Sequence, residues 1–153
     1  MSENSELAVR GLHALAGAEM DALERLYSRE FVFHMQVPGR PQGYAGLRDR
    51  ALLINSALYD VSIAVKVVVD VGDIVVTRWR GRGVHKGDLL GLPGSGRRIA
   101  VNGITIFRIR DGVIIEEWTE YDALALLNQL RPALADSEIP TPRDIDATVT
   151  LPR

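Results

Sequence analysis

The chain has 153 residues, of which 46% are hydrophobic and 25% are charged, and its formal net charge is -2. This length fits one domain with its own core, and the near-neutral charge gives no electrostatic reason to expect nucleic acid or an anionic membrane as a partner. The absence of cysteine excludes disulfide frameworks, thiolate nucleophiles and cysteine-based metal sites. Because there is neither a signal-like N-terminus nor an apolar run of membrane-spanning length, we expect a cytoplasmic protein.

The first part of the chain is predicted to be mainly helical. Leucines recur at helical spacing between Ser5 and Leu26, and Gly17 interrupts them, which predicts two helices or one bent helix. A short strand, FVFHM, follows. Residues 37–46 are rich in glycine and proline and predict a loop, after which a helix is expected from about Tyr44 to Tyr59.

Beyond Asp60 the pattern changes to β-branched runs that predict an antiparallel meander. Hairpin-like turns are expected at Val71–Asp73 and Arg110–Gly112, whereas KGDLLGLPGSGRR is too long for a tight turn and predicts a structured loop. A short helix, ALALLNQLR, closes residues 1–131, which we interpret as a single domain, and residues 132–153 form a proline-rich tail. Helices followed by a curved sheet that wraps around them predict an α+β fold with an internal apolar pocket.

Motifs in the second half occur in a distinctive order. They are the G-x-H-x-G-x-x-x-G-x-P run that begins at Gly83, the pair Arg97 and Arg98, the FRIRDG hairpin, Trp118, and NQL in the last helix. Together they resemble the SnoaL-like polyketide cyclase family of the nuclear transport factor 2-like superfamily. The resemblance implies a cone-shaped sheet around the N-terminal helices, a homodimer, a small apolar organic substrate, and no metal or organic cofactor.

The resemblance is less specific for the reaction. The best-known members of the family close a polyketide ring by an intramolecular aldol condensation, in which an aspartate on the last strand moves protons. Relatives on the same fold open epoxides, isomerise steroids, hydroxylate or only bind. Function must therefore be argued from the pocket.

The last predicted strand carries the carboxylates of EEWTEYD, residues 116–122. Because side chains on a strand alternate, we expect one face to hold the odd-numbered residues and the other the even-numbered ones: Ile115, Glu117, Thr119 and Tyr121, against Ile114, Glu116, Trp118 and Glu120. Counted from the Asp111-Gly112 turn, Thr119 takes the position of the family's catalytic aspartate. The resemblance therefore implies that the odd-numbered face points into the pocket.

Glu117 is the predicted replacement for that acid. The Thr119 hydroxyl cannot act unaided as a general base, although it can orient a substrate oxygen. Glu117 lies one inward position earlier, roughly 7 Å away by strand rise. Alternatively, Glu117 pairs with an arginine or reaches solvent. Glu116 and Glu120 are expected to face outward, opposite arginines such as Arg108 and Arg110 or against a second subunit. Asp122 is expected to cap the last helix.

Two histidines are further candidates. An imidazole exchanges protons near neutral pH, so His34 could form a pair with Glu117 as base and orienting group, or it could be a core histidine bonded to the backbone. His85, within the glycine-flanked motif, could contact substrate, although a structural hydrogen bond at the base of the loop is the favoured interpretation. No H-x-H or H-x-x-x-H spacing joins histidines, so no metal site is predicted.

Four further residues are predicted to furnish pocket walls and hydroxyl donors, namely Tyr44, Trp79, Thr105 and Tyr121, and Phe107 is predicted to add apolar bulk beside Trp79. For each aromatic residue, core packing is the alternative.

The favoured function is an enzyme that acts on a polyketide-like or other apolar carbonyl compound, by proton transfer at Glu117 or by holding the reactive conformer. The alternatives are a noncatalytic small-molecule-binding protein and an epoxide-opening hydrolase. The hydrolase is disfavoured because Thr119 again occupies the place of an acid.

Overall fold

A computed structural model of the chain describes residues 1–34 and 42–131. The described elements, in chain order, are α1 (Glu3–Ala16), α2 (Met20–Leu26), β1 (Tyr27–Phe33), α3 (Tyr44–Ala57), β2 (Leu58–Val71), β3 (Ile74–His85), β4 (Arg98–Arg110), β5 (Val113–Tyr121) and α4 (Ala123–Leu130). This order confirms the predicted α+β class. The predicted tail, residues 132–153, and residues 37–41 of the predicted loop lie outside the described residues.

The N-terminal segment forms two helices, as the break near Gly17 predicts. The backbone N–H of Gly17 closes the last turn of α1 by donating to the carbonyl of His13, and Ala18 then takes a positive φ of 52°. A residue in this left-handed conformation cannot continue a right-handed helix. The chain therefore reverses before α2 begins.

The five strands form one curved, unclosed sheet in the order β1-β5-β4-β3-β2. Strands β2 to β5 are an antiparallel meander joined at the two predicted turns, where Gly72, Asp111 and Gly112 adopt positive φ. Strand β1 starts before the predicted FVFHM and pairs with β5 in parallel, an arrangement that the sequence pattern did not predict. Parallel partners need a long crossover, which here is the whole of the chain from α3 to β4.

A β-bulge in β5 corrects one predicted orientation. Ile109 pairs with Ile114 whereas Arg108 pairs with Glu116, so Ile115 has no partner on β4. The extra residue reverses the alternation of faces. Ile114 is consequently fully buried in the core, and the prediction that it shares the outward face of Glu116 is wrong.

The concave face of the sheet packs on the N-terminal helices. The main core joins leucines of α1 and α2 with Tyr27 and Phe31 of β1 and with Phe107 and Ile109 of β4. A second, smaller cluster lies under α4 and contains Ile99, Leu126 and Leu130. As predicted, Asp122 caps this helix, because its Oδ1 accepts a hydrogen bond of 2.9 Å from the N–H of Ala125.

The segment between β3 and β4 is the structured loop that its length predicts. Its start is held against the end of α3, since the N–H groups of Lys86 and Gly87 both donate to the carbonyl of Ala57. A Cβ on Gly87 would lie 2.5 Å from the carbonyl oxygen of Ser56, so only glycine allows this approach. No helix in the described part of the chain has both the length and the apolar character needed to cross a membrane.

Candidate active site

A cavity of about 440 Å³ lies between the concave face of the sheet and helices α1 and α3. This volume is in the range of small-molecule pockets and confirms the predicted internal pocket. Most of its lining is apolar: Leu12, Leu15, Phe33, Leu53, Ile54, Leu58, Val61, Ile63, Trp79, Ile99, Val101 and Leu126. An apolar skeleton bound here would be removed from water, which favours binding in proportion to the area buried.

Glu117 lies at the wall of this cavity, with only 1% of its side chain exposed, so the predicted inward orientation is correct. Three donors hold the carboxylate. Arg50 Nη2 and Thr119 Oγ1 approach its Oε1 at 2.9 Å and 3.0 Å, and the Tyr27 hydroxyl donates to Oε2 at 3.3 Å. Glu117 therefore lines the pocket, and it also makes the arginine pair that was the alternative to a proton-transfer role.

The arginine partner comes from α3 and was missed by sequence reasoning. The side chain of Arg50 is 18% exposed, and its guanidinium carbon lies 4.0 Å from the centre of the Phe33 ring. Leu47, Ala51 and Ile54 recur at helical spacing on the side of α3 that packs against the core. Arg50 lies three residues after Leu47, so an arginine on this apolar face was the available signal.

Tyr27, the third partner of Glu117, was also missed. It is the first residue of β1, only 2% exposed, and packs edge-on against Phe31. Burial, reinforced by the negative charge of Glu117, raises the pKa of the Tyr27 hydroxyl well above its ordinary value. Tyr27 therefore remains a hydrogen-bond donor to Glu117 at neutral pH. A tyrosine at the junction of a helix and a strand gives no local signal of this role.

Strand register aligns three threonines, one of which is Thr119, the partner of Glu117. Thr77, Thr105 and Thr119 lie side by side on β3, β4 and β5. The Oγ1 atoms of Thr105 and Thr119 are 2.9 Å apart, and Trp79 Nε1 donates to Thr105 Oγ1 at 2.9 Å. We call Trp79, Thr105, Thr119 and Glu117 the polar chain.

The absence of a side chain at Gly103 leaves room for the indole of Trp79. It pairs with Trp79 across β3 and β4, and a Cβ at Gly103 would lie 2.3 Å from Cζ2 of the indole. Such a distance is far below van der Waals contact. The lack of a side chain at Gly103 therefore lets Trp79 lie flat on the sheet and reach Thr105.

The structure brings five of the predicted site residues to the cavity and leaves four away from it. Among its lining residues are Glu117, Thr119, Trp79, Thr105 and Tyr121. His34, Tyr44, His85 and Phe107 are not in the lining. Phe107 is fully buried in the main core, and Tyr44 packs against that core with the Arg29 guanidinium over its ring.

His34 does not form the predicted pair with Glu117. Its ring stacks on Trp118 at 4.3 Å between centres, and its Nε2 lies 2.7 Å from Oε2 of Glu116. Trp118 and Glu116 belong to the opposite face of β5 from Glu117. The imidazole is therefore on the outer face of the sheet, where its side chain is 33% exposed.

His85 is fully buried at the base of the loop between β3 and β4. Its Nδ1 accepts a hydrogen bond of 3.2 Å from the N–H of Ser95 and lies 3.0 Å from the hydroxyl of the same residue. This geometry is the structural hydrogen bond that was the favoured interpretation of its motif. It holds together the two ends of the loop.

The outer face of β5 carries an ion pair of its own. Arg108 Nη1 lies 2.7 Å from Oε1 of Glu116, which confirms the predicted outward pairing. The hydrogen bond from His34 lowers the pKa of Glu116 below its ordinary value, and Arg108 adds to the effect. Glu120 is exposed on the same face.

Comparison with known proteins agrees with this architecture. The model of the SnoaL-like polyketide cyclase family matches residues 6–130. TsrD from Streptomyces laurentii is 31% identical with a TM-score of 0.76, over 84% of this chain and 94% of TsrD. IdmH from Streptomyces antibioticus, described as a candidate polyketide cyclase, is 27% identical with a TM-score of 0.73, over 84% of this chain and 99% of IdmH.

AclR from Streptomyces galilaeus, described as a candidate hydroxylase, has a TM-score of 0.73 over 85% of this chain and 96% of AclR. At 21% identity it shares the fold alone. No curated protein matches the chain. The family match runs from within α1 to the end of α4 and includes every residue of the polar chain. The chain belongs to the SnoaL-like polyketide cyclase family.

Proposed function

We propose that the protein is an enzyme of the cyclase or isomerase type that acts on a polyketide-like or other apolar carbonyl compound. The observation that carries the proposal is the Glu117 carboxylate, 1% exposed at the wall of a mainly apolar cavity. IdmH, with its polyketide cyclase description, supports the substrate class. The family resemblance also favours action as a homodimer without a metal or organic cofactor.

The cavity supplies two contributions to such a reaction. Its apolar lining holds the substrate away from water and in a limited set of conformers, and orientation alone can lower a cyclisation barrier by several kcal/mol. Glu117 then accepts a proton from the carbon beside a substrate carbonyl, and the electron pair left behind attacks a second carbonyl carbon or shifts to a neighbouring carbon. Glu117 returns the proton to the resulting alkoxide oxygen or to that carbon, and loss of water from the closed ring gives the enone. The Arg50 guanidinium beside Glu117 stabilises negative charge that develops on a substrate oxygen.

The first test replaces Glu117 with glutamine, which keeps the shape of the side chain but cannot accept a proton as a carboxylate does. The measurement is the closure of an aryl-substituted 1,5-diketone to a cyclohexenone, followed by ultraviolet absorbance. We expect the rate constant to fall by at least about 100-fold, the usual contribution of a positioned proton-transfer group.

The matched control is Glu116→Gln, which changes the neighbouring carboxylate on the outer face and is expected to retain full turnover. If Glu117→Gln is as active as the unchanged protein, proton transfer at Glu117 is wrong, and templating by the cavity becomes the mode of catalysis. If the unchanged protein binds the diketone without any turnover, the enzyme proposal is wrong for this substrate class.

A noncatalytic binding protein is the second candidate. It is favoured by the hydrogen bonding of Glu117, which already accepts from Arg50, Tyr27 and Thr119. It is also favoured by Thr119 at the position where the resemblance implies an acid. Binding of apolar ligands without turnover of any of them would support this candidate.

A further inference from the structure

The polar chain has only one possible direction of donation. As a carboxylate paired with the Arg50 guanidinium, Glu117 can only accept, so the single hydroxyl hydrogen of Thr119 points to Glu117. The contact between the hydroxyls of Thr105 and Thr119 then requires Thr105 to be the donor. The hydroxyl oxygen of Thr105 in turn accepts a hydrogen bond from the indole N–H of Trp79, which is a donor only.

This direction decides which groups remain for a ligand. Every hydrogen on the polar side-chain groups of Trp79, Thr105 and Thr119 is committed to the next member of the chain. Each of the two hydroxyl oxygens has two acceptor sites and uses one, and within the described residues Glu117 Oε2 accepts from Tyr27 alone. The polar chain therefore offers acceptors to the cavity and no donor.

Among the residues that carry the free acceptors, Thr119 is the most exposed. Its side chain lines the cavity and the residue is 8% exposed, compared with 0% for Thr105 and 1% for Glu117. A ligand that donates a hydrogen bond to Thr119 Oγ1 extends the chain by one member. Because that chain ends on a carboxylate, each added donor is also stabilised by the polarisation of its neighbours.

We propose that this wall recognises a hydroxyl group of the ligand as a donor, so that the ligand class is an apolar compound carrying a phenolic or enolic hydroxyl. Phenols and enols fit better than simple alcohols because their more acidic O–H is a stronger donor. The proposal rests on the proposed function only in assigning the substrate to this cavity. It adds that an ether or an isolated ketone leaves the Thr119 acceptor unpaired.

The contrasting possibility is that Arg50 recognises a carbonyl oxygen of the ligand. It lines the same cavity, and one of its five N–H groups bonds to Glu117. If the remaining guanidinium hydrogens bound a neutral carbonyl oxygen of the resting ligand, and not only the charge that develops during the reaction, a ketone would be the preferred ligand. Binding of matched compounds that differ only in this functional group distinguishes the two.

The test uses three naphthalene compounds with the full-length protein: 2-naphthol, which donates, 2-methoxynaphthalene, which has the same oxygen without the hydrogen, and 2-acetylnaphthalene, which offers a carbonyl. Calorimetric titration at pH 7, where naphthol is un-ionised, gives the dissociation constants. We expect 2-naphthol to bind about tenfold more tightly than the methyl ether, as one hydrogen bond to a charge-terminated chain allows. Equal affinities, tighter binding of the acetyl compound, or no binding of 2-naphthol at millimolar concentration overturns the proposal.

Thr119→Val keeps the shape of the side chain and removes its hydroxyl. We expect the preference for naphthol over its methyl ether to fall below about threefold, since the accepting oxygen is gone. The matched control is Thr77→Val, because the Thr77 hydroxyl donates to the backbone carbonyl of Thr105 and Thr77 does not line the cavity. This variant is expected to keep the preference, and loss of preference in both variants would overturn the assignment to Thr119.

The ligand series with the unchanged protein does not depend on any variant folding. It also separates this inference from the proposed function. Preferential binding of naphthol without turnover of the diketone would support the inference and contradict the enzyme proposal. Turnover of the diketone that is abolished by Glu117→Gln, together with no preference for naphthol, would support the enzyme proposal and contradict the inference.

Discussion

Glu116 and Glu117 are neighbours on β5, and each pairs with an arginine, but they face opposite sides of the sheet. Glu116 is 22% exposed and meets Arg108 and His34 on the outer face, where water and salt screen the charges. Glu117 is 1% exposed and meets Arg50 beside an apolar cavity. Similar pairs therefore have different consequences, because the loss of one partner leaves a screened charge on the outer face and an unscreened charge on the inner face.

The largest expected effect follows from removing the buried arginine. Arg50→Met keeps much of the apolar stem but leaves Glu117 without its cation, which we expect to lower the free energy of unfolding by about 3–5 kcal/mol. The measurement is urea-induced unfolding at pH 7. The matched control is Arg108→Met, whose pair with Glu116 is partly exposed and should be worth less than about 1 kcal/mol. Equal losses in the two variants would show that the two faces do not differ as described.

A smaller effect tests the packing of the inner face. Gly103→Ala places a Cβ where the indole of Trp79 lies, so the ring must move and its hydrogen bond to Thr105 is lost. We expect a loss of about 1–3 kcal/mol, typical of overpacking, and a changed near-ultraviolet circular dichroism signal. In the control, Gly81→Ala, the nearest atoms to the new Cβ lie at 3.5 Å and 3.6 Å, which is ordinary contact. A Gly103→Ala protein with unchanged stability and spectrum would contradict the placement of Trp79.

The smallest effect concerns the outer pair and its dependence on pH. The hydrogen bond from His34, with help from Arg108, lowers the pKa of Glu116 in the folded protein. A lowered pKa stabilises the fold above the ordinary carboxyl pKa, and the stabilisation is lost as pH falls through the folded value. Glu116→Gln should therefore be less stable than the unchanged protein by under about 1 kcal/mol at pH 6, and the difference should shrink as the pH falls below the ordinary carboxyl range.

Unfolding free energies of both proteins measured across that range test this sign. A difference that grows as the pH falls would contradict the assigned cause. His34→Gln should reduce the same pH-dependent difference, because the hydrogen bond from His34 is the largest contribution to the shift at Glu116.

Local patterns were sufficient for most of the fold. The break at Gly17, the two hairpin turns and the Asp122 cap each depend on a few neighbouring residues, and all are confirmed. The inward orientation of Glu117, which alternation left open and the family resemblance implied, is confirmed as well. The parallel partner of β1 and the bulge at Ile115 were not predicted. Both features depend on which strands pair in the folded sheet. The hydrophobic periodicity along a single strand does not reveal its pairing partner.

The site was predictable only on one strand. Alternation together with the family resemblance placed Glu117 and Thr119, but Arg50 and Tyr27 reach Glu117 from positions 67 and 90 residues away. The position of His34 could not be predicted either, because it also depends on how the strands pair. His34 follows β1, so its neighbours depend on the parallel pairing of β1 with β5. With that pairing, the His34 ring lies against Glu116 on the outer face of the sheet.

The parallel pairing of β1 with β5 also has a consequence for folding. Strand β1 cannot pair until β5 has formed. This edge of the sheet therefore closes only after the long segment between β1 and β5 has lost conformational freedom. During synthesis, α3 and its Arg50 leave the ribosome well before the strand that carries Glu117. The ion pair at the wall of the cavity therefore forms late, and a chain that stops before β5 leaves the arginine without its carboxylate.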